Sequence, residues 1–318
     1  MTKRLFFALA LTTAMSVPAF AFPDKPIELV VPFSPGGGSD VSARVFAQCL
    51  ESHLNQKVLV KNVTGARGKI GEVEVRDARP DGYELLWAHQ GTDMGKATGR
   101  SDYNYTAFAP VAQTVAMNYG IFAGSSYGMD SEKSLKEMVA ADPGKYTIGT
   151  ALAGFSHFAV LDFLDAAGID PATLRTIPMS GDKERIVASM QGNLTLVPTA
   201  VGAAAPYVDS GDLKPVAILS DMRDPRLKNA ETAEEQGVDS QFPMIFTTFA
   251  PKNTPKDVID TLSKAWIEAA NDTTCQEKLN SQSMTVSAKS GDELDKALAE
   301  RYARIESLAK KFNLAESQ

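Results

Sequence analysis

Two turns carry the residues best suited to chemistry. The first, Ser34-Pro35-Gly36-Gly37-Gly38-Ser39-Asp40, follows a run of strand formers, and the second, Thr64-Gly65-Ala66-Arg67-Gly68, repeats the same grammar. Glycines allow backbone N–H groups to approach a ligand without intervening side chains. Ser39 or Asp40 is placed to cap the helix that follows. An anion in such a turn meets unpaired N–H donors and the positive end of a helix, worth roughly 0.3–2 kcal/mol depending on burial. The chemistry predicted is non-covalent capture of a negative group, although glycine-rich strand-to-helix turns also serve as plain structural devices.

Other chemistries fit poorly. Gly36-Gly37-Gly38 runs on to Val41, where a dinucleotide fingerprint wants a small residue, and Gly68-Lys69 has Val63 in place of the earlier P-loop glycine and Ile70 in place of its Ser or Thr. Gly154-Phe155-Ser156-His157-Phe158 lacks the second glycine of a nucleophile elbow, and its adjacent Ser and His diverge on a helix start. Ser156 reads as an N-cap, with or without an anion-donor role. His157 and His53 read as packed or surface residues. The histidines are scattered, so neither a metal nor a cofactor is expected. Glu231, Glu234 and Glu235 fit a solvated helix start.

The elements that must position these turns follow from hydrophobic pattern. Strands are predicted over 27–33, 58–63 and 85–89, with helices over 41–54 and 70–79 between them, the second stopping before Pro80-Asp81-Gly82. That alternation predicts a parallel, doubly wound α/β sheet. A second α/β unit begins after Pro110: helices over 134–141, 156–167 and 182–191, strands over 146–150, around Thr176, over 194–199 and over 214–220, with a turn-rich stretch after Thr199. Helices over 257–270, 275–279 and 292–312 close the chain.

Lys3 and Arg4 precede the apolar stretch Leu5–Leu11, and Ala19-Phe20-Ala21 closes the segment, as in a secretory signal cleaved after Ala21. No other run approaches the length of a membrane span. The remainder is long for one core and comfortable for two. A net charge of −7, more acidic still without the leader, argues against nucleic acid or a polybasic membrane contact. The two cysteines, Cys49 and Cys275, are too few for a metal framework. In an oxidising compartment they could pair, or Cys49 could be a small buried hydrophobe on the stripe of Val41, Val45 and Phe46.

The sequence resembles the extracytoplasmic solute receptors of tripartite tricarboxylate transporters, Bug/TctC-type periplasmic binding proteins. The likeness rests on the export signal, Lys25-Pro26-Ile27, Val30 to Asp40, Asn62 to Gly71, Pro80-Asp81-Gly82-Tyr83 and Phe108-Ala109-Pro110-Val111. Asp142-Pro143-Gly144-Lys145, Gly154 to His157, Met222-Arg223 and Ala233 to Gly237 extend it in order over nearly the whole chain. It implies a two-lobed, type II-like periplasmic-binding-protein fold with a doubly wound sheet in each lobe. Residues 22–112 and 222–318 would form lobe 1, and residues 113–221 lobe 2. The same topology implies that the C-terminal helices return to lobe 1, bringing Cys49 and Cys275 into one domain.

Carried over by position, the resemblance implies that lobe 1 offers Phe33, Ser34, Gly36, Gly37 and Asp40 from the first turn and Thr64, Ala66 and Gly68 from the second. His89 and Thr92 lie beyond the third strand. Lobe 2 would add Thr150, Ala151, Ser156 and Thr199. A glycine is usual at Arg67, which could clamp a further carboxylate or face solvent as a loop cation. An aromatic-lysine pair is usual at Met179 and Ser180, and Asn229-Ala230-Glu231-Thr232 replaces a proline-containing turn. The function implied is capture of a small organic acid by a monomer in the periplasm and delivery to membrane permease subunits, without catalysis. A sensor docking on a membrane kinase is the alternative, and a secreted hydrolase is disfavoured by the failed constellations above.

Overall fold

The computed structural model describes residues 22–315; the signal-peptide expectation falls outside them. The first lobe begins with β1 (Ile27–Val31), α1 (Gly38–Leu54), β2 (Val58–Asn62), α2 (Lys69–Arg76), β3 (Glu84–Ala88) and α3 (Gly91–Ala97). Ile27, Leu29, Val30 and Val31 have no accessible surface, as a strand covered on both faces requires. One stripe of α1, including Ala43, Phe46, Ala47, Leu50 and Leu54, is buried against the sheet. The helix stops at Asn55, which adopts a left-handed conformation (φ 51°).

The chain then forms β4 (Phe108–Met117) and β5 (Tyr119–Gly124) with Asn118 alone between them. β4 belongs to the first sheet and β5 to the second. The expected 112/113 junction therefore lies inside β4, and sheet membership changes at Asn118. The second unit comprises β5, α4 (Glu132–Ala141), β6 (Thr147–Thr150), α5 (Phe155–Ala166), β7 (Arg175–Pro178), α6 (Asp182–Met190), β8 (Leu196–Ala200), α7 (Val201–Asp209) and β9 (Leu213–Ile218). The chain returns through β10 (Met244–Pro251), α8 (Lys256–Asn271), α9 (Thr273–Ser281), β11 (Met284–Lys289) and α10 (Gly291–Lys311).

The six-stranded sheet has the order β11-β4-β10-β3-β1-β2 and the five-stranded sheet β7-β6-β8-β5-β9. Both are mixed, which corrects the expectation of a parallel sheet in the first unit. β1 pairs in parallel with β2 and β3, whereas β10 runs antiparallel to β3 and β4, and β11 antiparallel to β4. In the second sheet β5 is antiparallel to both β8 and β9. Among the antiparallel strands, β4 and β5 carry the chain into the second lobe and β9 and β10 lie on either side of its return, whereas β8 and β11 each stay within one lobe. A second correction concerns the stretch after Thr199, which is the helix α7 and not a turn. Val201, Ala204 and Ala205 are buried on its inner face despite the helix-interrupting Pro206.

The crossing is pinned by buried polar groups. Asn118 Nδ2 donates to Asp224 Oδ2 at 2.9 Å, and Leu219 N–H donates to Tyr119 O at 2.8 Å. Farther from the sheets, α10 grips α5. Arg304 donates Nε to Asp162 Oδ1 at 2.6 Å and Nη2 to Oδ2 at 2.7 Å, while Lys311 pairs with Asp165. Cys49 on α1 and Cys275 on α9 are joined by a disulfide across a separation of 226 residues. No helix among the described residues is long and apolar enough to cross a membrane.

Candidate functional site

The carboxyl ends of β1, β2 and β3 open onto the loops that follow β6 and β7, and a cleft lies between, the place where α/β sheets collect ligands. Its central chamber, about 510 Å³, is walled on one side by Phe33, Ser34, Gly37, Gly38 and Ser39. Across it stand Tyr119, Ala151, Phe155, Ser156, Asp182 and Arg185. A distal chamber of about 320 Å³ continues past Phe33 and Phe155 to His89, Arg67 and Arg100. On the other flank a cavity of about 600 Å³ reaches Gly36, Lys183, Tyr207 and Arg226.

The first turn builds its shape from Asp40. The carboxylate accepts from Gly36 N–H at 2.8 Å, from Asn62 Nδ2 at 2.9 Å and from Arg44 Nε at 2.9 Å. Burial would raise its pKa, but these donors outweigh burial and hold it below the usual carboxylate range. Asp40 is thus a fastener of the loop and not a cap. The N-cap position is Gly37, which supplies no side-chain acceptor. Gly36 N–H is engaged by Asp40 and Gly37 N–H by Ser34 O at 3.4 Å, whereas Gly38 and Ser39, whose first-turn amides have no intrahelical partner, line the chamber.

The second turn is conformationally costly. Gly65, Ala66, Arg67 and Gly68 all have positive φ, at 126°, 46°, 55° and 100°. For Ala66 and Arg67 the left-handed region costs roughly 1–2 kcal/mol each. Gly68 is favoured by its φ alone, since a Cβ there would meet Phe33 Cζ at an ordinary contact distance of 3.4 Å. Across the cleft, Ala153 is also left-handed, at φ 53°.

His89 stacks on Phe33 with ring centroids 4.8 Å apart, and its Nδ1 accepts from Gly91 N–H at 3.0 Å. Burial, aided by Arg301, pushes its pKa down to about 4, so the ring is neutral and Nε2 carries the proton. Ser156 lies in the first turn of α5, whose N-cap is Gly154. The Ser156 hydroxyl accepts from Ala151 N–H at 2.8 Å, which corrects its reading as the cap.

Phe33, Ser34, Gly36, Gly37, Arg67, His89, Ala151 and Ser156 therefore converge on the cleft. Other positions do not line it among the described residues. Thr92 donates to Glu72 Oε1 at 2.8 Å beneath the loop. Thr64 is exposed, Ala66 lines a small side cavity, and Gly68 packs behind Phe33. Thr150 and Thr199 are fully buried at strand ends, below the cleft floor; Thr150 Oγ1 finds no partner among the described residues.

Several cleft residues escaped the sequence reading. Arg185 is 2% exposed, donates to Met179 O at 2.9 Å and to Tyr119 Oη at 3.3 Å, and pairs with Asp182 one helical turn earlier. Enclosure by the cleft walls raises the Asp182 pKa, opposed by Arg185. The i, i+3 acid-base spacing at a helix start was the available signal. Tyr119 and Arg100 had none, since the first lies in an unbroken apolar run and the second in a loop.

A separate cavity of about 390 Å³ lies by the crossing strands, lined by Gln90, Asn118, Ser220, Arg301 and Arg304. Its two arginines are already engaged, Arg301 by Asp93 and Arg304 by Asp162. No cluster of three or more metal-ligating side chains occurs among the described residues. The cleft's equipment is thus oriented amides, neutral donors, aromatic faces and arginines.

Known proteins resemble this chain in sequence and fold. BugT of Bordetella pertussis is 28% identical over 302 residues, spanning 92% of this chain and 90% of that protein. The solved periplasmic binding protein BugD is 27% identical, with a TM-score of 0.76 over 92% of this chain and 99% of that one. MatC from Rhodopseudomonas palustris, solved with bound malate, is 24% identical, with a TM-score of 0.74 over 90% of this chain and 99% of that one. These neighbours have the two-lobed periplasmic-binding-protein fold. The family described as the tripartite tricarboxylate transporter family receptor matches residues 42–314, and the chain belongs to that family.

Proposed function

We propose that this protein is a periplasmic receptor that captures a small organic carboxylate between its lobes and presents it to a tripartite tricarboxylate-type permease. On this reading the leader is cleaved after Ala21, the protein acts as a monomer and no bond is made or broken. The division expected from the sequence, residues 22–112 with 222–318 against 113–221, with its first boundary moved to Asn118, corresponds to two bodies that close on the acid. The observation that carries the reading is the start of α1, whose side-chain-free cap and first-turn residues line a chamber between the lobes. Family membership and the malate held by MatC support the same ligand class. Neutral His89 and Ser34 add uncharged polar groups at the chamber edge.

The test is a thermal-shift screen of the mature chain against carboxylates, amino acids, sugars and cations. A ligand at one hundred times its dissociation constant adds about 2.7 kcal/mol of stability. Organic acids are expected to stabilise the protein, and Ser34→Asp, which sets a fixed negative charge beside the amides, is expected to abolish the effect while the fold persists. Stabilisation by sugars or cations alone, or an unchanged response in the Ser34 variant, would refute the assignment.

A further inference from the structure

We propose that the distal chamber is a second anion subsite, where Arg67 and Arg100 receive the far carboxylate of a ligand whose near carboxylate rests at the start of α1. The inference rests on the receptor reading above and specifies the ligand as an elongated dicarboxylate. Arg67 and Arg100 both line the distal chamber, whose own lining holds no Asp or Glu, and behind it the two share a small side cavity with Glu72, whose buried carboxylate Arg100 helps to stabilise. The chamber joins the central one through shared walls of Phe33, Ala151, Phe155 and Ser180, so one extended molecule can occupy both.

The two ends of the cleft differ in charge. On the central and flanking side Asp182 shares the lining with Arg185, Lys183 and Arg226 and opposes a second anion there, whereas the distal lining holds cations and no carboxylate. A dianion anchored at α1 is therefore directed toward the arginines. The path between is apolar: the Phe33 ring stacks on neutral His89, His89 meets Phe155 edge-on, and Leu152 and Met94 complete the lining. Such a lining suits methylene groups and disfavours a polyhydroxylated spacer.

The fold positions Arg100 through its side chain and Arg67 through its backbone. Arg100 Nε donates to Thr98 Oγ1 at 3.1 Å, and its Nη2 approaches Ala153 O on the opposing lobe at 3.5 Å. The cation thus spans the cleft mouth where the lobes meet. Arg67 occupies a left-handed position (φ 55°) for which glycine is the unstrained choice. Strained backbone of this kind clusters at ligand clamps. A planar guanidinium can take a carboxylate through two parallel hydrogen bonds, which a point charge cannot.

The experiment is isothermal titration of the mature chain with linear α,ω-dicarboxylates of increasing length, each paired with its monomethyl ester. The ester keeps length and loses one charge. In the unmodified protein the best diacid should bind roughly 10- to 100-fold more tightly than its half-ester, the range expected for hydrogen bonds to a charged group. Added salt should narrow the gap. Arg67→Gly, which suits the left-handed backbone and protects the test from misfolding, should bring the ratio close to one, as should Arg100→Gln. Equal binding of diacid and half-ester by the unmodified protein, or ratios unchanged in both variants, would overturn the subsite and leave the receptor reading standing. Binding of neither would overturn both.

Discussion

Asp40→Ala tests whether the first turn is shaped by its own carboxylate. The substitution removes the acceptor for Gly36 N–H and Asn62 Nδ2 and breaks the pair with Arg44. Hydrogen bonds to a charged group contribute roughly 1.5–3 kcal/mol each. The Arg44 pair is half-exposed, with 49% of that side chain accessible, so its share is at most about 1 kcal/mol. Asn62 keeps its second bond, Nδ2 to Phe33 O at 3.0 Å, which limits the damage. The expected net loss is about 3 kcal/mol by urea denaturation at pH 7. A turn that no longer holds the amides of Gly38 and Ser39 in place should also weaken acid binding by about 10-fold in titration calorimetry. Asp40→Asn should fall between the two proteins, since it keeps one acceptor but turns an amide N–H toward existing donors. The depressed carboxyl pKa adds a pH signature: its stabilisation is present above the unfolded value and is lost as pH falls through the folded one. Stability within about 1 kcal/mol of the parent, together with unaltered affinity, would refute this account of the turn.

Two further outcomes follow from buried groups. His89 has its folded pKa depressed to about 4 from 6.5, so its contribution is complete above pH 6.5 and is lost as pH falls, reaching about 3 kcal/mol of destabilisation near pH 4. Urea midpoints of His89→Gln should therefore decline less steeply from pH 7 to pH 4.5 than those of the parent, and identical slopes would contradict the assignment of a buried neutral imidazole. Arg304→Ala strands the Asp162 carboxylate, 5% exposed, with Ser240 as its remaining side-chain donor. A loss of about 2 kcal/mol at pH 7 is expected, less than for a fully buried pair because Arg304 is partly exposed. It should shrink toward pH 4 as Asp162, whose pKa burial already raises, takes up a proton; an equal loss at both pH values would show that packing and not charge joins α5 to α10.

Periodicity made the alternating part of the chain legible. β1, α1, β2, α2 and β3 lie within a few residues of where alternation and punctuation put them, because each buries a regular stripe or a short apolar run. β4 and β5 were invisible as two strands. Residues 108–124 form one apolar stretch with near-continuous burial, and only the change of sheet at Asn118 separates them. α7 was hidden by Gly202 and Pro206, residues whose local preference is overridden by packing of Val201, Ala204 and Ala205. The cleft was half legible for a related reason. Glycine turns announce themselves, whereas Arg100, Tyr119 and Arg185 enter the site through tertiary placement. Thr92 and Thr150 stood at the right strand ends, yet the rotation of each residue about its own segment turns the hydroxyl inward to Glu72 or to the floor.

The bond between Cys49 and Cys275 turns most of the chain into a covalent ring, with the whole of the second sheet threaded inside it. The two segments that build the first sheet stay tethered even if everything between them melts. The inserted body could thus loosen, or suffer a single cut, and the glycine turns and the returning helices would still be held in one piece.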